Sequence, residues 1–380
     1  MPQSKHSSFQ VRRGLAVVFF IFIMATSKGN SKETPQNTEL KHKIGQMLII
    51  GFHGMKLQAN NHIITDIQQR HISGVILFDY DAPSKKYGRN ISNPKQLKQL
   101  STDLQKLTNE KLIISIDQEG GKVNRLKAKY GFPASVSAEY LGKINNEDST
   151  RYYASICAKT LKAHGINLNF APCVDVNLNP KNPIIGGVQR SFSKDTTTII
   201  RHAQWWLETQ QSLGVIGSLK HFPGHGSSSA DTHLGNVDVS KTWNACELAP
   251  YRQLIQTGQV HVVMTSHIFN AHLDPHYPAT LSKAILTDIL RKQLHFKGVI
   301  ITDDLAMGAL VKNYSLEAIL EHAINAGADL LCLSNNGETD DPFIAQKAVD
   351  IIFKLVKSGK IAPETIDASY KRIQELKSLL

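Results

Sequence analysis

VIGSLKHFPGHGSSSADTH, residues 215–233, is the stretch on which the reading of this chain turns. Its opening run, Val215–Leu219, reads as a short apolar strand of the kind buried in a parallel sheet. The next fourteen residues, Lys220–His233, are too rich in Gly, Pro and Ser for the interior of a helix or strand. They carry three histidines, a lysine and an aspartate. Titratable groups on a loop at the C-terminal end of a strand serve a site more often than a core. Within the triplet Asp231-Thr232-His233, an Asp so close to a His can fix its tautomer and raise its basicity.

The same alternation, an apolar run followed by polar residues, recurs on both sides of this stretch. Candidate strands are 47–52, 74–78, 112–117, 167–172, 215–219, 262–265, 298–302 and 328–333. Most are short, β-branched and apolar on both faces, as buried parallel strands are. Amphipathic helical stretches fall between them, at 94–109, 148–164, 196–213, 280–293 and 315–326, with a capped terminal helix at 363–380. Gly165, Gly214 and Gly327 stand where helices stop before the next strand. Eight strands alternating with helices predict an α/β fold, a single (β/α)8 TIM-type barrel. A doubly wound open sheet is the alternative, but no Gly-rich dinucleotide fingerprint follows the first strand. No linker divides residues 39–380, which read as one catalytic-size domain.

The first 27 residues are expected to be a signal peptide or N-terminal anchor. Arg12 and Arg13 precede an apolar run, Leu15–Ala25, with small residues after it, and the run is short for a membrane span. This predicts an exported protein, periplasmic or extracellular, with membrane association only if the segment is retained. No Cys follows the run, which argues against a lipoprotein anchor. Residues 28–38 read as a polar linker. The formal charge of +11 comes from 43 basic and 32 acidic residues that are scattered along the chain. Without a basic stripe interleaved with aromatics, a solvated Lys-rich surface is the reading and no nucleic-acid partner is expected. The four cysteines match neither a disulfide framework nor Cys-x-x-Cys metal spacing.

Polar groups cluster after several strands. Asp117-Gln118-Glu119-Gly120-Gly121 leads to Arg125, either a rim of a site or a structural turn closed by an Asp–Arg ion pair. A long irregular stretch, 175–193, carries Asp175 and Arg190, and such stretches are often functional. Asp303-Asp304 ends the seventh strand. One of the pair reads as the cap of the next helix, which leaves the other to attack an anomeric carbon or to bind a metal. His267 closes the sixth strand. His221, His225 and His233 raise the question of zinc, but their spacing matches no metal motif with a known mechanism.

At these residues the chain resembles family 3 glycoside hydrolases, and among them the bacterial single-domain β-N-acetylglucosaminidases, or β-N-acetylhexosaminidases, of peptidoglycan recycling. DQEGGKVNRL at 117–126, QRSFS at 189–193, KHFPGHGSSSADTH at 220–233 and TDDLAMGAL at 302–310 carry the resemblance, in the family's order. It implies retaining hydrolysis of terminal β-linked N-acetylglucosamine through a covalent glycosyl-enzyme. Asp303 aligns with the nucleophile, His233 with the acid/base and Asp231 with its dyad partner. Asp117, Arg125, Arg190, Lys220 and His221 align with residues that hold the sugar. The resemblance implies no cofactor and no metal, a carbohydrate substrate such as an N-acetylglucosamine-containing wall fragment, and no obligate protein partner. It does not cover everything: Lys122 stands where the short enzymes usually have Arg, Leu126 where an aromatic is common, and an export signal is unusual for recycling enzymes. The family's larger members carry a second α/β domain, which this chain is expected to lack. Other readings are a β-glucosidase of the same family, a metal-dependent amidohydrolase and a non-catalytic wall-binding protein. The first of these typically lacks the Asp-x-His loop.

Overall fold

In the computed structural model, residues 1–4, 6, 34–337 and 340–380 are described. Apart from positions 1–4 and 6, the expected signal segment lies outside the described residues, as does the linker up to residue 33. Helix Pro35–Gly45, capped by the Thr34 side chain, occupies the remainder of the stretch assigned to the linker. Proline at the first turn forfeits no hydrogen bond there, so Pro35 starts the helix without cost.

Eight parallel strands form the sheet: β1 (Leu48–Gly51), β2 (Gly74–Leu77), β3 (Ile113–Ile116), β4 (Leu168–Asn169), β5 (Ile216–Phe222), β6 (Val262–Thr265), β7 (Val299–Ile301) and β8 (Leu331–Leu333). Each pairs with its neighbours in chain order, and β8 pairs back onto β1. A parallel bridge between Ile301 and Leu330 joins β7 to β8, so the sheet closes into a barrel rather than a doubly wound sheet. Closure gives every strand partners on both sides, which is why runs such as Leu48-Ile49-Ile50 are fully buried. Fully burying one such side chain stabilises the fold by about 1.5–3 kcal/mol.

Helices pack outside the strands, and their starts follow the sequence. Asn93, Asn146, Asp195 and Ser315 each accept a backbone N–H at a helix N-terminus. Helices at His62–Arg70, Ala138–Ile144, Ala249–Gln256 and Ile344–Lys357 complete the shell, beyond those that periodicity marked out. The stretch expected as one helix over 280–293 is a 3-10 turn, Ala279–Leu281, followed by a wide-wound helix, Ala284–Gln293.

One difference matters for the site. β5 runs on to Phe222, so Lys220 and His221 are strand residues, not loop residues. Their backbone is paired: Val174 N–H donates to Lys220 O at 2.9 Å, and Ser266 N–H to Phe222 O at 2.8 Å. A strand holds side chains more rigidly than a loop, and both residues are buried against neighbouring strands.

Candidate active site

The eight residues singled out for the site all line one cavity of about 510 Å³ at the C-terminal ends of the strands. That volume lies within the ~300–1,000 Å³ usual for small-molecule sites. Its floor is a buried charge network. Lys220 is 1% exposed, with Nζ 2.8 Å from Asp117 and 2.5 Å from Glu119. A short ribbon, Gln118–Gly120 against Val123–Asn124, follows β3 and brings Arg125 back to Asp117 at 3.4 Å. Burial opposes these charges, but attraction wins: Asp117 is held well below the usual carboxylate range, chiefly by Lys220 and Arg125, and Lys220 is raised by Asp117 and Glu119.

Arg190 grips Glu119 with two prongs, Nε at 2.9 Å and Nη2 at 2.8 Å. Its Nη1 donates to Ile184 O at 2.9 Å, and Nη2 faces His221 Nε2 at 3.0 Å. A guanidinium only donates, so His221 Nε2 is an acceptor and Nδ1 carries the proton. That N–H donates to Asp175 at 2.6 Å. Asp175 also accepts the backbone N–H groups of His221 and His225. Arg190 and His221 therefore line the cavity with their polar atoms already engaged inside the protein. Lys220 keeps one N–H beyond its two ion pairs, and Arg125 has a buried Nε with no partner. Lys220, and Arg125 through the guanidinium N–H groups left over from its contact with Asp117, have donors for sugar hydroxyls, and Lys122 on the same cavity wall adds a third cation.

The two aspartates after β7 separate cleanly. Asp304 accepts from Ser334 N at 2.9 Å, Ser334 Oγ at 2.5 Å and Ala306 N at 3.2 Å, tying the β7 turn to the end of β8. Asp303 accepts from Asp304 N at 2.8 Å and lines the cavity. Burial opposes its charge, but the imidazoles of His267, His221 and His233 outweigh it and hold its carboxyl below the usual range. His267 is fixed in turn, bonded to Thr280 Oγ1 at 2.8 Å and Asp304 O at 2.9 Å.

His233 lies at the mouth, its side chain 64% exposed, with Nδ1 2.7 Å from Asp231 Oδ1. The same carboxylate oxygen accepts His233 N–H at 2.8 Å. The hydrogen bond to Asp231 raises the His233 pKa, and the charge of Asp303 adds to it. His225 is different: it is buried and bonded to Ser228 Oγ at 2.7 Å, and burial pushes it down to about 4. It ties the loop together as a neutral ring. Among the described residues, Cys173, Asp175 and His221 form the one group with metal-ligand spacing. Their atoms already bond one another, Cys173 Sγ at 3.2 Å and His221 Nδ1 at 2.6 Å from Asp175, and a guanidinium abuts the ring. That donor set is satisfied without an ion. All four cysteines are free thiols.

Sequence reasoning passed over Glu119 as a site residue, although it anchors both Lys220 and Arg190. The signal was the second carboxylate of Asp117-Gln118-Glu119. The partner that orients His221 was Asp175, visible only as one acid in a long irregular stretch.

With this geometry in place, the comparisons with known proteins are informative. The family model described as "Glycosyl hydrolase family 3 N terminal domain" matches residues 39–376. The chain belongs to glycosyl hydrolase family 3. A β-hexosaminidase from Tolumonas auensis is 34% identical over 296 residues, covering 76% of this chain and 83% of that protein. Among solved structures, a family 3 β-N-acetylglucosaminidase from Paenibacillus sp. superimposes with a TM-score of 0.81 at 35% identity, over 90% of this chain. The chain spans 62% of the length of that Paenibacillus protein. A β-N-acetylhexosaminidase from Beutenbergia cavernae gives a TM-score of 0.79 at 27% identity, over 89% of this chain and 98% of that one.

Proposed function

We propose that the chain is a β-N-acetylhexosaminidase that releases terminal β-linked N-acetylglucosamine with retention of configuration. The observation that carries this reading is the Asp231–His233 pair, 2.7 Å apart, on the cavity that also holds Asp303. In the first step the Asp303 carboxylate attacks the anomeric carbon while the His233 imidazolium gives its proton to the glycosidic oxygen, and the alcohol leaves. In the second, neutral His233 takes a proton from water, whose oxygen attacks the same carbon and releases Asp303. The electrostatics suit this exchange. The charge of Asp303 is one cause of the raised His233 pKa. Forming the ester removes that charge, so the imidazole holds its proton less tightly at the moment it must act as a base. Asp231 orients the ring and stabilises the imidazolium, as the carboxylate does in hydrolase triads. Lys220 and Arg125 bind sugar hydroxyls over a floor held by Asp117, Glu119, Arg190 and His221.

The apolar run behind Arg12–Arg13 supports export, and with it wall fragments containing N-acetylglucosamine as the natural substrate. N-terminal sequencing of protein from cell fractions tests this; an uncut chain confined to the cytoplasm removes it. The activity is tested with purified protein on aryl β-glycosides with and without the 2-acetamido group. Comparable or faster release from the plain glucoside would replace the reading with a β-glucosidase. NMR of the first-formed sugar is expected to show the β-anomer; the α-anomer would rule out a glycosyl-enzyme on Asp303.

A further inference from the structure

Beneath the loop that carries the dyad lies a carboxyl group with no part in the chemistry described so far. Glu247 is 1% exposed, on the 3-10 turn Ala245–Leu248. Its Oε2 accepts the backbone N–H of Gly226 at 2.9 Å. Gly224, at φ +120°, presses against the same side chain: a Cβ built there would lie 2.5 Å from Glu247 Cβ. Four residues before Glu247, Trp243 donates Nε1–H to Pro223 O at 3.2 Å. One segment therefore grips the turn at both ends, Pro223 and Gly226.

The turn connects the two halves of the site. On one side it continues β5, which carries Lys220 and His221. On the other, His225 reaches Ser228 Oγ at 2.7 Å and Thr232 Oγ1 at 3.4 Å, and Thr232 lies between Asp231 and His233. Ser227 adds a further contact from the turn: its hydroxyl acts on the same buried carboxyl as a hydrogen-bond donor.

We propose that Glu247 is a positioning residue for glycosidic bond cleavage: its buried carboxyl holds the Gly224–Ser227 turn and so aligns the Asp231–His233 dyad with the sugar-binding floor. The inference rests on the reading of His233 as the acid/base. Its surroundings add a pH dependence. Burial, and after it the charge of Asp175, push the Glu247 carboxyl up to about 7, against the pull of Ser227 and the Gly226 and Asn244 N–H groups. Tyr251 and Cys246 are the other titratable groups that feel its charge, and burial raises both. As pH rises through neutrality, a second carboxylate appears in a buried space already occupied by that of Asp175. The turn then holds that charge through the Ser227 hydroxyl and the Gly226 and Asn244 N–H groups.

The test compares wild type, Glu247→Ala and Glu247→Gln on two 2-acetamido glucosides, one with an activated aryl leaving group and one with a poor alkyl leaving group, between pH 5.5 and 8.5. Glu247→Ala is expected to lower kcat on the poor leaving group by about 10–100-fold, as for loss of a buried hydrogen bond and its alignment. KM and the rate on the activated glycoside change much less, because only proton donation is misaligned. Glu247→Gln, which still accepts from Gly226, restores most of the rate and loses the inflection that belongs to Glu247, at about 7, while the alkaline limb set by His233 stays in place. Equal losses on both substrates that Gln does not rescue would make Glu247 merely structural and overturn the proposal, as would wild-type rates in Glu247→Ala. Hydrogen exchange of the 220–233 segment reads the same contact without turnover. Faster exchange there in Glu247→Ala, with barrel strands unchanged, is expected; unchanged exchange overturns the proposal. Wild-type protein inert on both glycosides would sink the hexosaminidase reading instead.

Discussion

Substituting Lys220 by Met keeps the length of the side chain and deletes its charge. The ammonium is 1% exposed and lies 2.8 Å from Asp117 and 2.5 Å from Glu119. Without it, Glu119 keeps its two-pronged contact with Arg190, while Asp117 is left with Arg125 at 3.4 Å. Removing one partner of a buried ion pair costs about 3–5 kcal/mol. The two arginines that remain place the expected cost near the lower end, at about 3 kcal/mol. In a domain of this size each kcal/mol moves Tm by roughly 2 °C, so calorimetry at pH 7.5 is expected to show a fall of about 6 °C. Catalysis adds a second reading. If the third Nζ–H bonds a sugar hydroxyl, a charged hydrogen bond of ~1.5–3 kcal/mol is lost and kcat/KM drops by about 10–150-fold. A variant that melts within about 1 °C of wild type with unchanged kcat/KM would show that Lys220 neither ties the floor nor touches the sugar.

Other expectations concern the reacting groups and acid. Asp303→Asn should lower kcat by about 10⁴-fold or more; a rate near wild type on any aryl 2-acetamido glycoside contradicts its role as nucleophile. His233→Ala should cost ~10²–10⁴-fold on poor leaving groups and far less on nitrophenyl glycosides, whose departure needs no proton; equal losses on both argue against an acid/base. Because Asp231 is the first cause of the raised His233 pKa, Asp231→Ala should move the falling alkaline limb of kcat/KM to lower pH, and a limb that stays in place removes the dyad. Burial lowers His225, and His202 on the helix Thr196–Ser212, where it is fully buried with Nδ1 2.7 Å from Thr150 Oγ1, to about 4 from 6.5. Between pH 6.5 and 4 the unfolded chain binds protons that the fold refuses, so stability falls with acid by up to about 3 kcal/mol per ring. Melting curves of His202→Gln across that window should show a shallower drop than wild type, and an identical slope would contradict the assignment.

The barrel was readable because its signals are local. Runs such as Leu48-Ile49-Ile50 and Val262-Val263-Met264 are apolar on both faces, and glycines such as Gly165, Gly214 and Gly327 stand at helix ends. Boundaries were less legible. Lys220 and His221 looked like loop because Pro223, Gly224 and Gly226 follow them, yet pairing with Cys173 and Val174, beyond the end of β4, and with the end of β6 draws both into β5. The helix at Ala249–Gln256 has no side-chain cap, so apart from Pro250 in its first turn its start carried little signal.

Taken alone, the residue order determined the alternation of strands and helices, the C-terminal strand ends on which polar groups gather, and the motifs that place the chain in its family. Tertiary structure decided which of those groups act together. Asp303 and Asp304 are adjacent, chemically identical and both at the cavity; only the end of β8, with Ser334 bonded to Asp304, makes one a tether and leaves the other's carboxylate without that tie. Lys220 meets Asp117 across 103 positions of chain, and Arg190 meets Glu119 across 71. Glu247 lies under a turn 21 residues away from it. Periodicity and capping act over one or two turns of backbone, whereas these pairings exist only because the barrel closes and brings distant strand ends to one rim.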